Sequence, residues 1–240
     1  MKTTSTHKLR FSILVAAGAL LLSAGCVSPT VPAVNAETKE IDLGKGVKLE
    51  MVRLPNDLWF GKCEVTQNQW MRLMDKNPSL YQDGKNPVGA VSWNDCLKFV
   101  EKLNALPAAK ESGLAFRMPD DEEWVFAASA GAEGNDAITK LPDGTELKAA
   151  DLGRIAWIED NAGHWQHPVG KKMPNAFGLH DTIGNAMELT RSKRNSSTFV
   201  RRGGWHGCSA EDCGKPSFCP ADATNPACGF RLCADRAADR

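Results

Sequence analysis

Apolar and polar residues alternate from Val47 to Leu54, the period-two pattern of a half-buried strand, and Leu58 to Glu64 repeats it. The period then changes. Trp70, Leu73 and Met74 share one face of a helix predicted over residues 67–74, where Thr66 and Gln69 form a capping box. Asn86 to Val91 carries Pro and Gly and reads as a connector. Ser92 and Asp95 then cap a second helix, whose Cys96, Phe99, Val100 and Leu103 fall at i, i+3, i+4 and i+7. That spacing describes a buried face, which makes Cys96 a core or disulfide residue. Asp120 caps a short third helix with Glu123 reciprocating, and Trp124, Ala127 and Ala128 face inward. Acidic residues from Asp120 to Glu123 also suit a helix N-terminus, where the peptide dipoles favour negative charge. Gly, Asn, Asp and Pro scattered among single apolar residues make the stretch from Gly131 to Lys172 loop-like. The pattern as a whole is that of an α+β protein, a single irregular, loop-rich domain.

The N-terminus follows a different rule. Lys2, Lys8 and Arg10 precede an apolar run from Phe11 to Leu22, too short to span a bilayer and laid out as a secretory signal. It ends in Leu22-Ser23-Ala24-Gly25-Cys26, which resembles the bacterial lipobox, whose cysteine takes a lipid and becomes the first mature residue. Small residues fit a peptidase cleft, and a thiol is the nucleophile that can accept a lipid. Residues 1–25 are accordingly expected to be a lipoprotein signal peptide, and 26–45 the lipidated Cys26 with a tether rich in Pro, Ser, Thr and Ala. The domain is expected over 46–240. Val27 rather than Asp after the lipid site is, by the habit of the lipoproteins this segment resembles, expected to direct the chain to the periplasmic face of the outer membrane of a bacterial envelope. It would be membrane-bound through its lipid anchor.

Charge narrows the partners. The whole chain balances 29 basic against 29 acidic residues, and loss of the signal removes only basic ones, so the mature chain is slightly acidic. No basic patch points to nucleic acid. Beyond Cys26 the cysteines are Cys63, Cys96, Cys208, Cys213, Cys219, Cys228 and Cys233, an odd number for an oxidising compartment. At least one sulfur is therefore free, metal-bound or shared between chains. Cys208 and Cys213 can face each other across a short loop, either as a disulfide or around one soft metal ion.

The order of short motifs is recognisable. Glu64-Val65-Thr66, Pro87 with Val91-Ser92-Trp93, Arg117-Met118-Pro119 with Glu123-Trp124 and Ala127-Ala128 come first. Pro168-Val169-Gly170, Pro174-Asn175-Ala176-Phe177-Gly178-Leu179, Gly184-Asn185 with Glu188, Arg202-Gly203-Gly204 and Gly229-Phe230-Arg231 follow. This series resembles the formylglycine-generating enzyme, or sulfatase-modifying factor, family over essentially the whole mature domain. The resemblance implies a variant of the C-type-lectin-like fold.

It also implies chemistry. Active members oxidise a cysteine of a sulfatase to formylglycine with O2 and a Cu(I) ion held by two cysteines after Arg-Gly-Gly. Cys208 and Cys213 stand at those positions and are the implied catalytic residues and copper ligands. Two thiolates suit Cu(I) at low coordination. This chain carries Trp205 where the family has Ser, and Gly214-Lys215-Pro216-Ser217-Phe218-Cys219-Pro220 where it has arginines. Cys219, Cys228 and Cys233 are competing disulfide partners. The family's calcium site maps onto the side chains of Asp181 and Glu188 and the carbonyls of Gly184 and Ala186, a hard-oxygen set of the kind Ca2+ takes. His164 and His167 lack a third ligand, and His206 reads as a surface residue beside the cysteine pair.

Two functions stay open at this point. One is an envelope-anchored, copper-dependent oxidase of cysteine-bearing proteins or peptides, sulfatases among them. The other is a non-catalytic binding or assembly lipoprotein with envelope partners, as in the gliding-motility lipoproteins that resemble this family.

Overall fold

A computed structural model describes residues 36–132, 151–192 and 198–237. The signal peptide, Cys26 and the first part of the tether lie outside the described residues. In chain order the elements begin with β1 (Thr38–Asp42), β2 (Lys48–Arg53), β3 (Trp59–Gly61), α1 (Gln67–Leu73) and α2 (Trp93–Ala105). Next come α3 (Pro107–Glu111), β4 (Leu114–Arg117), α4 (Asp121–Ala128), α5 (Leu152–Ile155) and α6 (Glu159–Ala162). The chain ends with β5 (Met187–Arg191), β6 (Phe199–Arg202), β7 (Ser217–Cys219), β8 (Cys228–Gly229) and β9 (Cys233–Arg236).

The strands form two sheets, one ordered β1-β2-β3-β9-β4 and the other β7-β6-β5-β8. The C-terminal β9 is inserted between β3 and β4, antiparallel to both. In the second sheet β5 pairs antiparallel with β6 and parallel with β8.

Local chemistry accounts for the helices. The Thr66 hydroxyl accepts from the Gln69 N–H at 3.2 Å, and the Gln69 carbonyl oxygen accepts from the Thr66 N–H at 2.8 Å. Ser92 and Asp95 repeat the exchange at the start of α2. Each box satisfies two backbone donors that a helix start leaves unpaired, worth about 1 kcal/mol. The buried face of α2 comprises Trp93, Cys96, Phe99, Val100 and Leu103. Phe99 stacks on Trp70 of α1, ring centroids 5.6 Å apart, and meets Phe230 edge to face at 5.4 Å. A smaller core gathers Phe60, Trp124, Leu179 and Cys233, and a third gathers Ile155, Ile158, Ile183, Cys208 and Cys213.

Two expectations need correction. The strand expected from Leu58 to Glu64 is shorter, Trp59–Gly61: the Val65 N–H bonds the Phe230 carbonyl two positions out of the β3–β9 register, and Glu64 between them is buried. The first strand also falls inside the stretch expected to be tether, with Ile41 its one buried residue. One apolar position in five leaves no alternation to detect. Pairing with β2, register Ile41↔Leu49, is what makes it a strand. Long loops are tied down by side-chain amides in place of sheet. Gln67 donates to the Tyr81 carbonyl and accepts from Asn77 and Asp83, while Asn175 accepts from the Phe177 and Leu179 N–H groups and donates to Ala127.

Candidate functional site around Cys208 and Cys213

Strand β6 ends at Arg202, and the next two residues set the site. Gly203 and Gly204 both have left-handed backbones, φ +84° and +73°, a region glycine enters without steric cost. A Cβ on Gly204 would lie 2.7 Å from Cys208 Sγ and 2.6 Å from Cys213 Cα, so only hydrogen fits there. The Gly203 carbonyl accepts from the Gly184 N–H at 2.8 Å, which joins the Arg-Gly-Gly turn to the Gly-Asn turn. Trp205 to Cys208 closes a tight turn, with the Cys208 N–H on the Trp205 carbonyl at 2.9 Å and the Trp205 N–H directed to Cys208 Sγ at 3.3 Å.

Within this frame Cys208 and Cys213 form a disulfide, Cα atoms 5.6 Å apart. Cys63, Cys96, Cys219, Cys228 and Cys233 are free thiols. The competing partners thus leave the pair alone. Burial raises the thiols of Cys63, Cys96, Cys219, Cys228 and Cys233 above their usual range, Cys228 to about 12. Such thiols are poor nucleophiles at neutral pH.

His206 is buried, not the surface residue that its sequence context suggests. Its N–H and its ring Nδ1 both reach the Asn185 carbonyl, at 3.1 and 3.0 Å. A carbonyl only accepts, so Nδ1 carries the proton and Nε2 the lone pair. Desolvation lowers its pKa, so the ring is neutral near pH 7.

Asn185 is the residue that sequence reasoning undervalued. It sits at φ 57°, its Oδ1 accepts from the His167 N–H at 2.9 Å, and its Nδ2 donates to Glu64 at 3.1 Å. Gly184-Asn185 stood in the motif series only as a family mark, with no local sign that its side chain spans three loops. His167 spends its ring on the Ala162 carbonyl and stacks on Trp157 at 3.8 Å.

Below the turn lies an acidic pocket. Glu64 accepts from Asn185 and from the Ala186 N–H, and burial holds its carboxyl well above the usual carboxylate range. Asp181 accepts from the Gly170 N–H at 2.6 Å through Oδ2, while buried Oδ1 has no hydrogen-bond partner. Burial raises its carboxyl to about 6. Glu188 differs from both. Arg231 pairs with it at 2.7 Å, the Trp124 indole donates at 2.6 Å, and the pair is fully buried. Among the described residues no three His, Cys, Asp or Glu side chains cluster as metal ligands. The expected calcium set therefore fits in part. Asp181 Oδ1 is the kind of orphaned hard oxygen a cation satisfies, whereas both Glu188 oxygens already hold donors. Beside the pocket a cavity of about 300 Å3 is lined by Lys62, Cys63, Glu64, Gly170 and His180 among others.

The geometry agrees with what similarity gives. The sulfatase-modifying factor enzyme 1-like domain family matches residues 2–236. The chain belongs to this family. A Paenibacillus barcinonensis protein called chaperone protein LppX is 25% identical over 230 residues, covering 74% of this chain and 80% of the relative. The formylglycine-generating enzyme of Mycobacterium tuberculosis is 27% identical over 128 residues, 52% of this chain and 39% of the enzyme. The inactive Cα-formylglycine-generating enzyme 2 of Bos taurus is 28% identical over 145 residues, 59% of this chain and 44% of that protein. The chain thus spans less than half the length of those two relatives. Among solved structures, Treponema denticola variable protein 1 superposes with a TM-score of 0.68 at 25% identity, over 83% of this chain and 99% of the other. The sulfatase-modifying factor fold is thus the α+β, irregular, loop-rich domain expected.

Proposed function

We propose that this sulfatase-modifying factor protein acts on cysteine-bearing polypeptides in a bacterial envelope, with Cys208 and Cys213 as its reactive pair. The observation that carries the reading is that the two are bonded to each other, in a loop whose Gly204 leaves no space for a side chain. A pair linked across five positions can open and reclose by thiol–disulfide exchange without unpinning the rest of the fold. Reduced, it is a soft two-sulfur donor set that suits Cu(I). Bound copper would supply the activation of O2 for oxidising a protein cysteine to formylglycine. The chain's own contribution is positional: the Trp205 N–H steadies the Cys208 sulfur, and Gly204 packs against that sulfur and against Cα and Cβ of Cys213.

A second reading has support of its own. Trp205 stands in place of the family's Ser, and residues 214–220 lack its arginines, features that suit a binding, assembly or chaperone lipoprotein. The relative named as a chaperone points the same way. In either case Cys26 would carry the lipid, holding the domain at the periplasmic face of the outer membrane. Calcium would bind at Asp181 with the Gly184 and Ala186 carbonyls, Glu188 sharing its carboxylate with Arg231.

Anaerobic Cu(I) titration of the reduced chain, followed by O2 and a cysteine peptide read by mass spectrometry, separates the two. The oxidase reading expects one Cu(I) per chain, lost in Cys208→Ser, and an aldehyde product. No copper binding, or binding with an unchanged peptide, leaves the second reading.

A further inference from the structure

Asp121 belongs to the acidic first turn of α4, where the peptide dipoles would by themselves account for it. The structure gives it other work. Its two oxygens accept from Arg202 Nε at 2.8 Å and from Arg202 Nη2 at 2.6 Å, a two-bond fork, and Oδ1 also accepts from the Thr190 hydroxyl at 2.9 Å. Arg202 is the last residue of β6 and is buried, while Thr190 lies on β5. A fork of this kind fixes the orientation of the guanidinium as well as its distance.

Trp124 holds the next residue of the turn. A Cβ on Gly203 would meet the Trp124 ring at 3.3 Å. Residues 121 and 124 stand three apart and so share one face of α4, which grips Arg202 and Gly203 in succession. The helix is itself anchored to the first sheet. Arg117 of β4 donates to Glu123 at 2.7 and 2.8 Å and to Asp235 of β9 at 2.9 and 2.8 Å. Gly204 comes next in the chain and abuts Cys208 Sγ and Cys213 Cα. An unbroken run of contacts therefore leads from the first sheet, through α4 and Arg202, to the disulfide.

We propose that Asp121 is a positioning residue for the Cys208–Cys213 pair and sets how readily its bond opens. This deepens the thiol-directed reading and rests on it. Reduction turns one bonded pair into two thiols that must move apart to van der Waals separation, and Gly204 stands against both cysteines. While the turn is gripped, that expansion meets close-packed backbone, and the bonded form is favoured. Released from Asp121, the Arg202-Gly203-Gly204 turn can shift and make room for the separated sulfurs. Asp121 acts through Arg202, so its loss changes the balance between dithiol and disulfide and leaves the two cysteines in place.

The test equilibrates the full chain with mixtures of reduced and oxidised glutathione, in which two glutathione thiols pass two electrons and two protons to the pair and leave as one glutathione disulfide. Acid quenching, alkylation and mass spectrometry of the peptides bearing Cys208 and Cys213 give the dithiol-to-disulfide ratio. Asp121→Asn should shift the equilibrium fivefold or more toward the dithiol. Arg202→Lys should do the same, because a single ammonium cannot make the two-bond fork, and it decides alone if Asp121→Asn does not fold. Asp121→Glu, which keeps a carboxylate, should recover most of the shift. Ser92→Ala removes a hydroxyl from the cap of α2 and should hold the parent value. The positioning role is overturned if the folded Asp121 and Arg202 variants keep the parent equilibrium, or if Ser92→Ala moves it as far, which would make the shift one of general destabilisation. A shift as stated in a chain that leaves a cysteine peptide unchanged would retain the positioning role and remove the thiol-directed reading.

Discussion

Asp181 shows how a single residue can put pH into the stability of the fold. Its carboxyl is raised to about 6 by burial, from an unfolded value of 3.8. A raised folded value means that the native state binds the proton more tightly, so its stabilising contribution is full below pH 4 and is lost as pH rises through 6. Buried Glu64 shifts in the same direction. Without added calcium, stability and with it the urea midpoint should therefore fall on going from pH 5 to pH 7.5, and Asp181→Asn should remove about 1 kcal/mol of that fall. Calcium should restore the midpoint at pH 7.5 in the parent and not in Asp181→Asn; an equal response in both would reject the proposed cation site. Arg231 gives a second residue-scale prediction. Replacing it with Met leaves Glu188 buried and unpaired, at a cost of about 3–5 kcal/mol in chemical denaturation.

Helix caps and pinned loops operate one level up. Ser92→Ala removes the hydroxyl that accepts from Asp95 and should cost about 1 kcal/mol, read as a shift in urea midpoint with an unchanged slope. The two boxes, at α1 and α2, were legible because capping uses partners three positions apart. Strand β1 was not, since its one buried residue, Ile41, carries no period. Tyr81 and Trp165, whose rings meet edge to face, likewise could not be joined from sequence. Each sits in a loop without periodicity, and the amides of Gln67 and Asn86 that fix those loops act across 14 and 80 positions. Changing Gln67 to Ala should thus raise proteolytic cleavage near Tyr81 without unfolding α1, detectable by mass spectrometry of limited digests.

For the molecule as a whole, the disulfide should be a minor source of stability. It closes a loop over a separation of five residues, and so short a loop constrains the unfolded chain by only about 2 kcal/mol. Reduction should consequently lower the melting temperature modestly and leave a cooperative transition, measured by calorimetry with and without dithiothreitol. Loss of cooperativity would mark the pair as a structural staple. Trp70, Phe99 and Phe230 meet in the core where α1, α2 and the segment before β9 join. There Phe99→Ala should cost about 3–5 kcal/mol.

What the sequence determined by itself was whatever short-range physics encodes: the capped helices, and a motif order specific enough to place the family. Side-chain identity and spacing suffice there because the interacting groups are a few residues apart. Only tertiary structure decided that β9 enters between β3 and β4, that Cys208 bonds Cys213 and none of the other described cysteines, and that His206 is buried on Asn185. It likewise decided that Asn185 reaches Glu64 across 121 positions. Those contacts join groups whose separation along the chain leaves no periodic trace, and burial, which sets the charge state of Glu64 and Asp181, exists only once the loops have closed around them.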